Sequence, residues 1–211
     1  GILQFGAVFS NCGFMGYPLM TALLGSIGVF YGSAYVVVFT VLTWTMGVYM
    51  ITHDTSKLRL KSILLNPGVL SVAAAMVLYL LSVSLPEIVM TPLTYLANMN
   101  TPLPTIVVGY QLSHANFRHA FADRRSWTAL VLRLAVIPLL TVGGCYALRV
   151  DSAVALVTVI AASTPPAALL SMFAQKFERD TRLASSVVSV FTALSVLTIP
   201  PVVGLAQHLM G

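Results

Sequence analysis

Long apolar runs alternate with short polar ones along the whole chain. Between Gly1 and His53 there is no Asp, Glu, Lys or Arg, a length sufficient for two membrane crossings of about 20 apolar residues each. The Leu24-Gly25-Ser26-Ile27-Gly28 stretch is the natural turn between them. It divides the run into a first span over 2–24 and a second over 29–51. A polar stretch, 52–62, carries Lys57, Arg59 and Lys61. The third span covers 67–85, with Pro67 in its first turn. After Pro86-Glu87 the fourth covers 90–112 and is interrupted by Pro102 and Pro104. A basic stretch over 113–126 holds Arg118, Arg124 and Arg125. The fifth span covers 127–148, and Arg149-Val150-Asp151 makes a turn. The sixth covers 153–174 and is broken by Pro165-Pro166. A charged loop, 175–182, leads to the seventh span over 183–207.

Composition agrees with this pattern. Of 211 residues, 58% are hydrophobic and 8% charged, against about 25% charged in a soluble domain. A soluble globular domain, a disordered segment and a disulfide scaffold are excluded. The expected fold class is an all-α integral membrane protein, with the lipid bilayer as its solvent. Cys12 and Cys145 lie in apolar stretches and read as small, inert residues. His53, His114 and His119 fall in loops without metal-ligand spacing. No metal or other cofactor is expected.

The few charges set the direction of the spans. Eleven Lys and Arg outnumber six Asp and Glu, giving a net charge of +5. Lys57, Arg59, Lys61, Arg118, Arg124, Arg125, Lys176, Arg179 and Arg182 all fall in the loops of one side, against Arg149 alone on the other. Positive loops face the cytoplasm, so this excess calls for no nucleic-acid partner. Loops 52–62, 113–126 and 175–182 are expected in the cytoplasm and the C-terminus outside, in a bacterial inner (plasma) membrane. Arg133 is the cation left inside a span, within two turns of its cytoplasmic end. Its side chain is expected to reach back to the interface.

Two spans carry breaks near their middles. The first reads Phe9-Ser10-Asn11-Cys12-Gly13-Phe14-Met15-Gly16-Tyr17-Pro18, the sixth Ser163-Thr164-Pro165-Pro166. Lipid cannot satisfy the backbone groups that a break frees, so such segments belong in protein or beside a wet cavity. Each broken span precedes an uninterrupted one, yet the first runs outward and the sixth inward. That is the layout of an inverted repeat with broken helices meeting near the midplane. Residues 1–51 then hold the last two helices of a first repeat, 52–62 a loop, and 63–211 a complete second repeat of five helices.

At these residues the sequence resembles the auxin efflux carrier family, which includes bacterial permeases for small carboxylates. The matching pieces are Asn11-x-Gly13-Phe14-x-Gly16-x-Pro18 and Asn66-Pro67-Gly68. Pro102-Leu103-Pro104, Gly109-Tyr110-Gln111-Leu112, Thr164-Pro165-Pro166 and Phe173-Ala174 follow in the family's order. The resemblance implies two inverted five-helix repeats, of which this chain covers helices four to ten. It implies that the broken helices cross at Pro18 and Pro165, with Asn11 contacting a substrate carboxylate there. Pro165-Pro166 stands where the plant exporters have one proline and a polar residue.

A physical argument for an anion stands beside the resemblance. A half-helix that starts at a break offers unpaired N–H groups and a positive dipole end, and a carboxylate suits that end. Leu19-Met20-Thr21 and Ala167-Ala168 are expected to supply the N–H groups. Asn11 and Thr164 add side-chain donors. The candidate substrate-binding residues are therefore Asn11, Gly13, Gly16, Pro18, Thr164, Pro165 and Pro166. Asn100 and Thr101 join them, lining either the same cavity or an outer vestibule. Gln4 and Gln111 read as interhelical hydrogen-bonding residues.

All six acids, Asp54, Glu87, Asp123, Asp151, Glu178 and Asp180, fall in loops, which disfavours an antiporter that carries cations on buried carboxylates. No nucleophile with a buried partner points to an enzyme. The expected function is secondary transport of small organic anions, mono- or dicarboxylates, by alternating access, with homo-oligomerisation open. The alternatives are a cation-coupled symporter of the bile-acid type, an intramembrane hydrolase and a non-transporting membrane subunit. The repeat layout predicts an upstream reading frame of about 90–100 residues with three hydrophobic segments. A frame without them would overturn the ten-helix layout.

Overall fold

The structure is a computed structural model that describes residues 1–55, 67–99, 102–113 and 124–210. The candidates Asn100 and Thr101, most of the loop 52–62 and both His114 and His119 lie outside the described residues. Every described element is helical. Helix α1 is Ile2–Val8 and α2 is Tyr17–Leu42, joined by a π-helical turn over Cys12–Gly16. A second π turn, Thr43–Gly47, leads into α3, Val48–Thr52. Then come α4, Pro67–Leu80, α5, Glu87–Asn98, and α6, Pro102–Ser113. Helix α7, Arg124–Val131, passes through a third π turn, Leu132–Val136, into α8, Ile137–Ala147. Helices α9, Ser152–Ser163, α10, Leu169–Lys176, and α11, Thr181–Met210, complete the chain.

Three helical runs among the described residues are long and apolar enough to cross a bilayer: Cys12–Thr52, Arg124–Ala147 and Thr181–Met210. The first is no single rod. At Gly25 the backbone takes φ 59° and ψ −138°, a left-handed conformation that a side chain resists. The chain folds back there. The Tyr17 hydroxyl donates to Ser33 Oγ at 2.9 Å, sixteen residues along, a separation of about 24 Å in a straight helix. Met20 fills the inside of this hairpin and packs against Gly28 and Gly32.

Two of the π turns have a visible cause. Pro18 and Pro138 are each the second residue of the α-helix that follows a π turn. A proline ring clashes with the carbonyl four residues back and donates no hydrogen bond. Widening the preceding turn accommodates both defects.

Two apolar clusters lie along the bundle. Phe5, Phe9, Leu170, Phe173, Val187 and Phe191 form one, built from α1, α10 and the first half of α11. Phe5 stacks edge-on to Phe173, with centroids 5.7 Å apart. Cys12, Met20, Val157, Ile160, Ile199 and Val203 form the other. Many large apolar side chains point outward, among them Leu140, Val196 and Leu197, as lipid-facing positions require. The acids serve helix ends. Asp151 accepts from the N–H groups of Ala153 and Val154 at the start of α9, and Asp180 from Leu183 at the start of α11.

Helices α4 to α6 stand at the side of this bundle. Helix α6 touches α11 and the Cys12–Gly16 turn, α4 touches α2, and α5 buries no residue. The third span is shorter than the sequence suggests, ending at Leu80 with Ser82 in the left-handed region.

A methyl group at Gly28 would collide with the Met20 carbonyl oxygen, whereas Gly143 faces open space. Gly28→Ala is expected to lower stability by about 1–3 kcal/mol, and Gly143→Ala to leave it unchanged. Thermal unfolding of the intact protein in detergent checks both.

Candidate substrate site at the helix crossing

Helix α1 stops at Val8 and α9 at Ser163, and the two extended segments beyond them cross. Ser10 and Pro166 pair as an isolated antiparallel bridge. The Asn11 N–H donates to the Pro165 carbonyl at 2.7 Å, and the Ala167 N–H donates to the Phe9 carbonyl at 2.9 Å. The local cause is the Pro165-Pro166 pair. Neither proline can donate, and each forces the residue before it out of the helical region. Thr164 accordingly sits at φ −69°, ψ 150°. The bridge uses the groups that proline spares: the carbonyl of Pro165 and the N–H of Ala167.

Each break leaves carbonyls at the C-terminal end of one half-helix and N–H groups at the start of the next. One side chain serves both C-terminal ends. Arg133 is 2% exposed. Its Nε donates to Thr164 O at 2.9 Å, and its Nη2 to Ala162 O at 2.9 Å and Ala161 O at 3.5 Å. Its Nη1 donates to Val8 O at 3.1 Å and Ala7 O at 3.3 Å. A guanidinium has five N–H groups, and all are used. The two C-terminal ends each carry about −0.5 of an elementary charge, so the cation also answers their dipoles. The expectation that Arg133 reaches the interface is therefore corrected. Five carbonyls at the two broken ends draw on this one side chain, and the guanidinium at this depth turns inward to them.

The N-terminal ends behave differently. The Asn11 carbonyl accepts from Met15 and Gly16, so Cys12, Gly13 and Phe14 precede the first intrahelical bond. No side chain caps that turn, and none caps α10, which starts at Leu169. Two polar atoms at these ends are buried without a partner. Asn11 Nδ2 belongs to the residue that opens the Cys12–Gly16 turn, and Ser171 Oγ lies in the first turn of α10. An amide donor withheld from any acceptor costs about 1–3 kcal/mol.

The sequence expectations fare unequally. Asn11, Thr164, Pro165 and Pro166 come together, all buried. A methyl group added at Gly16 would lie 3.8 Å from the Thr164 methyl, whereas one at Gly13 would face open space. Thr164 donates its hydroxyl to Ala161 O at 2.9 Å, so that hydrogen is engaged in its own helix. Pro18 is not at the crossing, because the chain breaks earlier, at Phe9 to Asn11, and is helical again by Cys12. For the same reason the N-terminal end of the half-helix lies at Cys12 to Phe14 rather than at Leu19-Met20-Thr21. Ser171 is missed by the sequence reading, although its place in the first turn after a double proline marks it. Gln4 and His53 are exposed.

A cavity of about 840 Å³ opens at one end of the bundle, with Gln4, His53, Arg125 and Arg179 at its walls and Ala7 and Leu132 beside Arg133. Arg179 Nη2 donates to Thr52 O at 2.8 Å, which ties the loop before α11 to the end of α3.

Interrupted helices that cross on a backbone bridge within an all-helical, lipid-facing bundle define a membrane protein of the carrier class. The chain belongs to the membrane transport protein family, which matches residues 51–203. This is the auxin-efflux-carrier type of family that the motifs resemble. The match takes in the second break but starts beyond the first. An "uncharacterized transporter" of Methanothermobacter thermautotrophicus is 30% identical over 208 residues, covering 94% of this chain. The chain spans 65% of the length of that relative. No solved structure matches the chain.

Removing the guanidinium takes away the donor that the carbonyls of both half-helices share. Arg133→Met is expected to cost about 3–5 kcal/mol, and Arg133→Lys less, because an ammonium offers three donors. The exposed Arg149→Gln is the neutral control. Chemical unfolding in detergent orders the three variants.

Proposed function

We propose that the protein is a secondary transporter of small organic anions, mono- or dicarboxylates, that bind at the crossing and move by alternating access. The observation that carries this reading is the pair of unpartnered donors, Asn11 Nδ2 and Ser171 Oγ, at the two uncapped half-helix starts. A carboxylate has two oxygens. One can accept from the N–H groups of the Cys12–Gly16 turn together with Asn11, the other from the start of α10 together with Ser171. Helix N-termini bind anions in this way without a full positive charge.

The surroundings support a moving bundle. The crossing is held rigidly by backbone bonds and by Arg133, whereas α4 and α5 touch the rest sparsely. In the proposed cycle the crossing bundle rocks against a partner domain that includes α4 and α5, exposing the site first to one side and then to the other. The cavity beside Arg125 and Arg179 serves as the access path from the cytoplasm. The gathering of Arg125, Arg179 and the end of α3 at one end of the bundle agrees with that side being cytoplasmic in a bacterial plasma membrane, with the C-terminus outside.

Uptake of radiolabelled pentanoate, glutarate and phenylacetate by the intact protein in proteoliposomes tests the reading. Loss of one hydrogen bond to a charged group costs about 1.5–3 kcal/mol. Asn11→Ala and Ser171→Ala are therefore expected to raise the apparent KM about tenfold or more, while Gln207→Ala transports as wild type. Uptake of none of the acids would sink the anion reading. Uptake that requires sodium would instead favour the bile-acid type of symport.

A further inference from the structure

The crossing brings four half-helix ends together, and their charges can be summed. The C-terminal ends of α1 and α9 contribute about −0.5 each, the N-terminal ends at Cys12 and Leu169 about +0.5 each. Alone, the four cancel. A carboxylate drawn to the N-terminal ends would be repelled by the C-terminal ends close beside them. Arg133 changes the sum. All its donors go to the carbonyls of α1 and α9 and their immediate extensions, so it keeps none for a ligand, and its whole charge offsets the two negative ends. The positive ends are left uncompensated, at about +1 in total.

No described carboxylate lies at the crossing to lower that sum. The ionisable groups that interact electrostatically with Arg133 are Tyr35 and Cys12, a phenol and a thiol that are uncharged near pH 7 at their ordinary values. The described carboxylates lie at helix ends and loops: Asp54, Glu87, Asp151, Glu178 and Asp180. Of the five buried side-chain atoms without partners among the described residues, two, Asn11 Nδ2 and Ser171 Oγ, sit at the positive ends.

We infer that the crossing is set for a single negative charge, so that its preferred substrate is a monocarboxylate, and that Arg133 acts as a positioning residue that fixes this preference without touching the substrate. The inference rests on the anion-transport reading and narrows it. A monoanion leaves the occupied crossing neutral. A neutral ligand leaves it positive, and a dianion leaves it negative, each an uncompensated charge in surroundings that screen poorly.

The test is binding to the intact protein in detergent, with two skeleton-matched series as probes. One is pentanoate, pentanamide and glutarate. The other is phenylacetate, phenylacetamide and 2-carboxyphenylacetate. In at least one series the wild type is expected to bind the monoanion at least tenfold more tightly than both the amide and the dianion. Arg133→Gln is expected to shrink the monoanion-to-amide ratio at least tenfold while amide binding holds. A merely structural role would weaken both together. Arg133→Lys keeps the charge and is expected to keep the ratio, and it decides the role of residue 133 if the Gln variant does not fold. Dianion binding equal to monoanion binding overturns the charge count. An unchanged ratio in a folded Gln variant, or a lost one in the Lys variant, overturns the role of Arg133. Failure of the wild type to bind any acid strikes the anion reading itself.

Discussion

A helix broken inside a bilayer strips carbonyls on one side and N–H groups on the other of their partners, and lipid offers none in return. This chain contains two such breaks, and Arg133 meets the carbonyl half of both. A lone buried guanidinium would be costly, since ions lose several kcal/mol on leaving water. Here it gains five charge-assisted bonds and two helix dipoles. The cation and the breaks are each unfavourable alone and mutually satisfied together. The bundle around them is arranged to keep that geometry. The third π turn holds Arg133 itself, and Gly47, in the second, leaves room for the Phe5 and Phe9 rings beneath the crossing.

The asymmetry between the two kinds of helix end is what gives the crossing chemistry. Carbonyls are satisfied from within the chain, so they form scaffold. The N–H ends are met less completely, since no side chain caps them and Asn11 Nδ2 and Ser171 Oγ beside them lack partners. A fold that satisfied both would be inert, and one that satisfied neither would be hard to keep together in lipid.

Much of this was legible in the sequence. Apolar lengths and loop cations mark the helical runs, the glycines at 25 and 28 mark the hairpin, and the double proline marks the second break. The first break is harder to place, because Pro18, where the resemblance puts the crossing, looks like the breaker although a preceding π turn lets the helix accept it. Asn11, a small polar residue, ends up at the real interruption. Arg133 departs from the sequence expectation for a related reason. Sequence gives its depth in a span but not the face it occupies, and the rule for cations near span ends points outward. Counting acceptors would have found it. Two breaks create carbonyls that need donors, and Arg133 is the cation inside an apolar span. Ser171 escaped because one serine in a helix has no periodic signature.

The bonds that hold the two breaks together are made almost wholly of main-chain atoms. Asn11 N–H to Pro165 O and Ala167 N–H to Phe9 O involve no side chain, and every acceptor of Arg133 is a carbonyl. Side chains at 11 and 171 can therefore be exchanged without unpicking the junction. The junction and the side chains at its open ends are thus made of different atoms, so a change at 11 or 171 alters what the crossing presents while its backbone bonds and Arg133 stay in place.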